Sequence, residues 1–172
     1  FDYLCIHRSE QLTIKVYMMD GDASKMTEVV NPHDHRYLFT TTVLAGEMID
    51  HRYELSDDGD LYNAFDYLTP LNGGNGFTFR GEERLKKTDS LILDENQDLM
   101  TLHFDLHTIG FKSDQTVIML NQFRDTVPID VPTSCWSPVG SPEPNNNNSG
   151  LYEKFTADEI IAKLVTIEGL MP

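Results

Sequence analysis

Two of the six histidines in this chain of 172 residues stand two apart, in His33-Asp34-His35, after Asn31-Pro32 and before the β-prone run Arg36 to Leu44. Side chains two apart on a strand leave the same face, so the two imidazoles converge. A rigid imidazole pair is half of a metal site; imidazole suits iron, zinc, copper or nickel, and manganese is a further candidate. A third ligand has to come from another strand. His107, in Asp105-Leu106-His107-Thr108-Ile109, is the natural candidate, and His103 is the second, as ligand or as acid/base group. Met100, Leu102, Phe104 and Leu106 alternate as one buried face, which puts His103, Asp105 and His107 together on the opposite face. That face is either a lumen or solvent. The same choice applies to the His33/His35 pair, which an edge strand would carry in water.

Other residues fall into phase with this pair. Tyr37 and Phe39 continue the His33/His35 alternation and are expected as pocket walls. Beyond Gly46, Ile49, His51, Tyr53 and Leu55 share one face while Asp50, Arg52 and Glu54 share the other. The first face is the one expected to be buried, which makes His51 and Tyr53 candidates for orienting substrate or moving a proton. A core histidine with satisfied hydrogen bonds is the plainer reading of His51. Arg36 and Arg52 lie in the opposite phase and are expected in solvent. Asp57-Asp58-Gly59-Asp60 lacks the ligand ladder of a calcium loop and reads as an acidic turn. Asn72 to Gly76 is glycine-rich, but no helix follows to bind phosphate, so it is a lid or a hairpin tip.

The elements that must position these groups are strands. Apolar, β-branched stretches recur between Gly, Asn and Asp breaks at Leu12–Met19, Tyr37–Leu44, Met48–Leu55, Phe77–Arg80, Leu91–Leu93, Met100–Ile109 and Thr116–Phe123. This pattern predicts an all-β sandwich or barrel over residues 1–126. Residues 127–150 change character: five prolines and the run Asn145 to Asn148 predict a surface loop, with Trp136 pinning it to the core. In residues 151–172, Thr156-Ala157-Asp158-Glu159 forms a capping box, and Ile160, Ile161, Leu164 and Ile167 share a helical face. One C-terminal α-helix packing on the sheet follows.

The stretch Pro32-His33-Asp34-His35, Phe39, Leu44-Ala45-Gly46 resembles the first motif of cupins, where a His-x-His pair is followed by a Glu and then a Gly. The pair and Gly46 match in spacing; Phe39 stands at the Glu position. Cupins without that glutamate include the cysteine-dioxygenase-like thiol dioxygenases, which hold iron through three histidines, and His-Asp-His resembles their first motif. His107-Thr108-Ile109, followed by the strand Thr116 to Leu120, is similar to a degenerate second motif that lacks the usual Pro-x-Gly and Asn. The resemblance spans roughly residues 12–123. It implies a cupin-type double-stranded β-helix, or jelly roll, binding Fe(II) through His33, His35 and His107, with Zn, Mn or Ni as alternatives. It also implies a small organic substrate, with a thiol as the suggested class, and dioxygen as co-substrate. Three neutral imidazoles leave a divalent charge uncompensated and several positions open, which suits an anionic substrate and dioxygen together. Thiol dioxygenases carry an Arg on an early strand, and Arg8, well before His33, sits in a comparable place as a substrate-carboxylate anchor. A non-oxidative metal cupin (lyase or isomerase) and a non-catalytic binding jelly roll are the alternatives.

Composition narrows the partners. Thirteen Lys and Arg against 28 Asp and Glu give a net charge of −15, which disfavours nucleic acid. No apolar run approaches the roughly 20 residues that cross a bilayer. Two cysteines, Cys5 and Cys135, allow at most one bridge, so a reducing, cytoplasmic compartment is expected. The opening Phe1-Asp2-Tyr3-Leu4 shows no secretory pattern and no initiator Met, which leaves room for a preceding segment. Edge strands leave a homodimer open.

Overall fold

The computed structural model describes residues 2–70, 73–141, 144 and 154–171. Among these residues nine strands lie before position 139: β1 (Asp2–Arg8), β2 (Leu12–Asp20), β3 (Tyr37–Ala45), β4 (Met48–Leu68), β5 (Gly76–Leu93), β6 (Asp98–Thr101), β7 (Leu106–Phe111), β8 (Gln115–Asp125) and β9 (Thr133–Pro138). One helix, α1 (Ala157–Leu170), follows. The strands pair antiparallel into one sheet ordered β1-β2-β8-β3-β6 and another ordered β5-β4-β7, with β9 on the outer half of β4.

An irregular segment completes the second sheet. Val29 N–H donates to Ile109 O (2.9 Å), Phe111 N–H to Met26 O (2.8 Å), and His33 and His107 exchange both backbone bonds (3.0 and 3.1 Å). Residues 26–33 therefore act as an incomplete strand beside β7. Spatial order becomes β2-β8-β3-β6 facing 26–33, β7, β4, β5, and from β2 onward the chain changes sheet at every step except β4 to β5. That order is an eight-stranded jelly roll.

The sheets close over a core of Met19, Val43, Met48, Leu93, Phe111 and Ile118. Gly46 makes the tight turn from β3 to β4 at φ 80°, and a side chain there would collide with the Gln115 carbonyl. Val16, Ala45 and Val117 on the outer face of the first sheet receive Ile167 and Leu170 of α1. Thr156 and Glu159 form the expected capping box. Ile160, Ile161 and Leu164 remain exposed, so only the last turns of the helix pack.

Several expected breaks fall elsewhere. β4 and β5 run through the acidic turn, because Leu55 and Asp60 both oppose Leu85 and the residues between them bulge outward. Arg84 and Lys86 hold that bulge, donating to Gly59 O and Asp58 at 2.8 Å each. Conversely, Met100–Ile109 is two strands. Asp105 caps a turn by accepting from Leu102 N–H (2.8 Å), which leaves Met100 and Phe104 60% and 63% exposed. Their alternation marks no buried face. Within the proline-rich segment β9 adds a short edge strand, on which Trp136 is buried and donates to Glu83 (2.8 Å). Residues 142–143 and 145–150 of that segment lie outside the described residues, as do Leu71 and Asn72. Gly73 and Gly74 donate back to Pro70 and Thr69. Cys5 and Cys135 are both free thiols. No helix among the described residues is long and apolar enough to cross a membrane.

Candidate metal centre

His33 and His35 converge, but not as residues of a regular strand. Their segment is bent and clamped on both sides. His33 bridges to His107 and to Cys135. Asp34 accepts from Ser134 N–H (2.7 Å), and His35 N–H donates to His103 O (3.0 Å). This clamp turns both rings toward His107, which comes from the facing position on β7. The three side chains offer ligand atoms that all lie within 4.8 Å of one another.

Tautomers follow from the acceptors. His33 Nδ1–H donates to Asn31 O (2.8 Å), and His107 Nδ1–H donates to Asp50 Oδ2 (2.7 Å). Each bond leaves Nε2 as the lone-pair nitrogen, the arrangement that orients metal-binding imidazoles. The Nε2 atoms of His35 and His107 are 2.9 Å apart. Two nitrogens bound at about 2.1 Å to one ion, at right angles, would stand about 3.0 Å apart, so the donor set fits a small divalent cation. Burial, helped by His107, pushes His33 down to about 4, and burial with both other rings drives His35 well below its ordinary value. Both are neutral ligands at physiological pH.

Asp50 and Arg52 are the residues that sequence reasoning misplaced. Arg52 is expected in solvent and Asp50 shares its strand face, yet Asp50 is 1% exposed. Arg52 Nε lies 2.5 Å from Asp50 Oδ1, and its Nη1 lies 2.9 Å from Asp105. Arg52 also donates to Thr101 Oγ1 (3.1 Å). Arg52 stands directly opposite His107 in the β4–β7 register, so the two share a face. β4 is the central strand of its sheet and is covered on both faces. No hydropathy pattern within one strand carries that information.

His51 and Tyr53 occupy the other face, away from the imidazoles. His51 accepts from Ser90 Oγ (2.7 Å) and donates to Thr27 O (3.2 Å), while the Tyr53 hydroxyl donates to Glu28 (2.9 Å). Both are satisfied within the packing, and neither lines the cavity described next. The His103 ring packs on Phe104 at 5.1 Å and is not part of the three-histidine group. Arg8 is exposed on β1 and lines no part of that cavity. Tyr37 and Phe39 line that cavity, their rings 5.3 and 4.7 Å from that of His35.

The three histidines line a cavity of about 150 Å³ inside the barrel. Its walls are apolar, with Met19, Phe39, Met48, Ile109, Phe111 and Ile118 among them, and among the described residues its hydroxyls are those of Tyr17, Tyr37 and Thr41. Burial raises both tyrosines, Tyr37 to about 12.

No family model and no curated protein matches the chain. Solved structures do. A cupin superfamily protein from Desulfitobacterium hafniense DCB-2 is 14% identical, with 72% of this chain and 76% of that one covered at a TM-score of 0.41. A cupin-2 domain protein from Shewanella frigidimarina is 13% identical, covering 72% and 81% at 0.41. Hydroquinone 1,2-dioxygenase from Sphingomonas sp. TTNP3, with 4-hydroxybenzoate bound, is 9% identical, covering 80% and 75% at 0.43. At such scores the likeness adds nothing to what the strand order already establishes.

Proposed function

We propose that this chain is a metal-dependent dioxygenase in which His33, His35 and His107 hold Fe(II) and a small organic molecule in the apolar cavity is oxidised. The observation that carries this reading is the convergence of three imidazoles on a cavity with apolar walls. When bound, such an ion supplies Lewis acidity and open positions where substrate and dioxygen can meet. A dioxygenase reaction draws its electrons from the substrate, so iron alone suffices as cofactor. Phe39 and Tyr37 wall the donor set, and the Asp50–His107 bond holds the third ring in place. Zn, Mn or Ni would fit the same nitrogens. A thiol is the substrate class that the motif resemblance suggests.

A lyase or isomerase needs a proton-transfer group beside the substrate. Among the described residues, the cavity lining offers no carboxylate, lysine or additional histidine, and its tyrosines hold their protons well above neutral pH. Oxidative chemistry is the better match to such walls. The test is anaerobic reconstitution with Fe(II), metal analysis, and oxygen uptake with a panel of small thiols and phenols. One iron per chain and substrate-dependent uptake are expected, and His35→Ala should lose the iron. Stoichiometric iron in His35→Ala, or iron binding without any oxygen uptake, would count against the assignment.

A further inference from the structure

Among the described residues, the central cavity is lined by the three imidazoles and by side chains that carry no charge. One part of the lining is the ring cluster around His35, formed with Tyr37 and Phe39. Another part is Met19, Met48, Phe111 and Ile118, which belong to the main core and are each at most 3% exposed. A molecule that meets the imidazoles and fills this cavity therefore lies against the dry interior of the barrel.

The chain is rich in charge, with 28 acidic and 13 basic residues. Yet the charged groups around the site are paired with one another or directed elsewhere. Asp50 and Arg52 pair beside His107, and Arg52 reaches on to Asp105. Arg8, where the motif resemblance placed a carboxylate anchor, is exposed and lines no part of the cavity. Lys15 stands over the Tyr3 ring, 5.8 Å from Nζ to centroid, and neither residue is in the lining. The hydroxyls of Tyr17, Tyr37 and Thr41 can donate to an anion, but a neutral donor does not cancel its charge.

An ionised carboxylate or ammonium without a partner in a dry interior is costly enough that it neutralises or stays outside. An ion on the imidazoles would compensate the donor atom bound to it; a second charge across the ligand's body would still meet only apolar wall. The volume, about 150 Å³, suits a single benzene-sized body.

We propose that this cavity selects against charge, and that its substrate is an uncharged, benzene-sized molecule with a single hydroxyl or thiol directed at the histidines. Amino-acid thiols and other zwitterions, carboxylates and amines are excluded. The word substrate rests on the reading under Proposed function; the selection against charge does not, because it resides in the walls.

The test is calorimetric titration of the chelator-treated chain at neutral pH with benzyl alcohol, phenylmethanethiol, benzoate, benzylamine and cysteine. The two uncharged probes are expected to bind, benzoate and benzylamine at least about tenfold more weakly, and cysteine without measurable heat. Leu120→Phe, which narrows the cavity, should weaken both uncharged probes. Leu120→Lys, which puts a cation into the lining, should reverse the order of benzyl alcohol and benzoate. Should a Leu120 variant fail to fold, Thr41→Leu narrows the same cavity in place of Leu120→Phe, and the wild-type ranking decides in place of Leu120→Lys. Benzoate, benzylamine or cysteine binding as tightly as benzyl alcohol, no binding of either uncharged probe, or affinities unmoved by narrowing the cavity would each overturn the proposal. Co(II) uptake, followed by its visible absorption, is measured separately. Its absence would sink the metal reading and leave the ranking standing, whereas a failed ranking with Co(II) bound would sink the selection alone.

Discussion

Asp50 and His107 lie 2.7 Å apart in the interior, the carboxylate 1% and the histidine 4% exposed. A buried carboxylate that receives the Nδ1 proton makes the far nitrogen a better and better-aimed ligand. Arg52, 2.5 Å from the other carboxylate oxygen, compensates the charge that Asp50 brings into the core.

Asp50→Asn should therefore keep the fold but weaken metal binding. A loss of tenfold to 100-fold in affinity is the usual cost of removing such a partner. Competition titration with a chromophoric chelator, well below the melting temperature, reads it out. Asp50→Ala should be worse, since it leaves Arg52 buried without its nearest partner. Unchanged metal affinity in Asp50→Asn would show that the hydrogen bond has no part in aiming His107.

Acid should destabilise the metal-free chain well before its carboxylates titrate. His33 is held at about 4 in the fold, against 6.5 when unfolded. Between those values the unfolded chain binds a proton that the folded chain refuses, so stability falls as pH falls through that window. Above about 6.5 the ring is neutral in both states and contributes no slope. The loss for this one group is on the order of 3 kcal/mol by pH 4, and His35 adds to it in the same direction. Urea unfolding across pH 7 to pH 4 should show the decline, and His33→Gln should flatten it. A profile of equal steepness in His33→Gln would place the acid sensitivity elsewhere.

The two thiols should react at very different rates. Cys5 is exposed on the edge strand β1. Cys135 is half-buried on β9, and burial pushes its thiol up to about 11. Since the thiolate is the reactive form, Ellman's reagent at pH 8 should label Cys5 quickly and Cys135 slowly. Labelling should become equally fast in denaturant. Two thiols modified at one rate in the native protein would contradict the burial of β9.

Short-range chemistry made much of this protein readable from its residues alone. The His-Asp-His pair, the turn at Gly46, the capping box at Thr156 and the in-phase Tyr37 and Phe39 are all local patterns whose meaning survives any tertiary arrangement. The acidic bulge in β4, the divided run Met100–Ile109 and the strand β9 were not readable, because each depends on which neighbour a backbone amide finds. The same holds for the site. Asp50 and Arg52 look like solvent-facing charges within their own strand; only the register of β4 against β7 turns them toward His107. Ligand identity is written in side-chain type, but the network that aims, neutralises or anchors is written in strand pairing, and pairing across distant segments is what the tertiary fold alone decides.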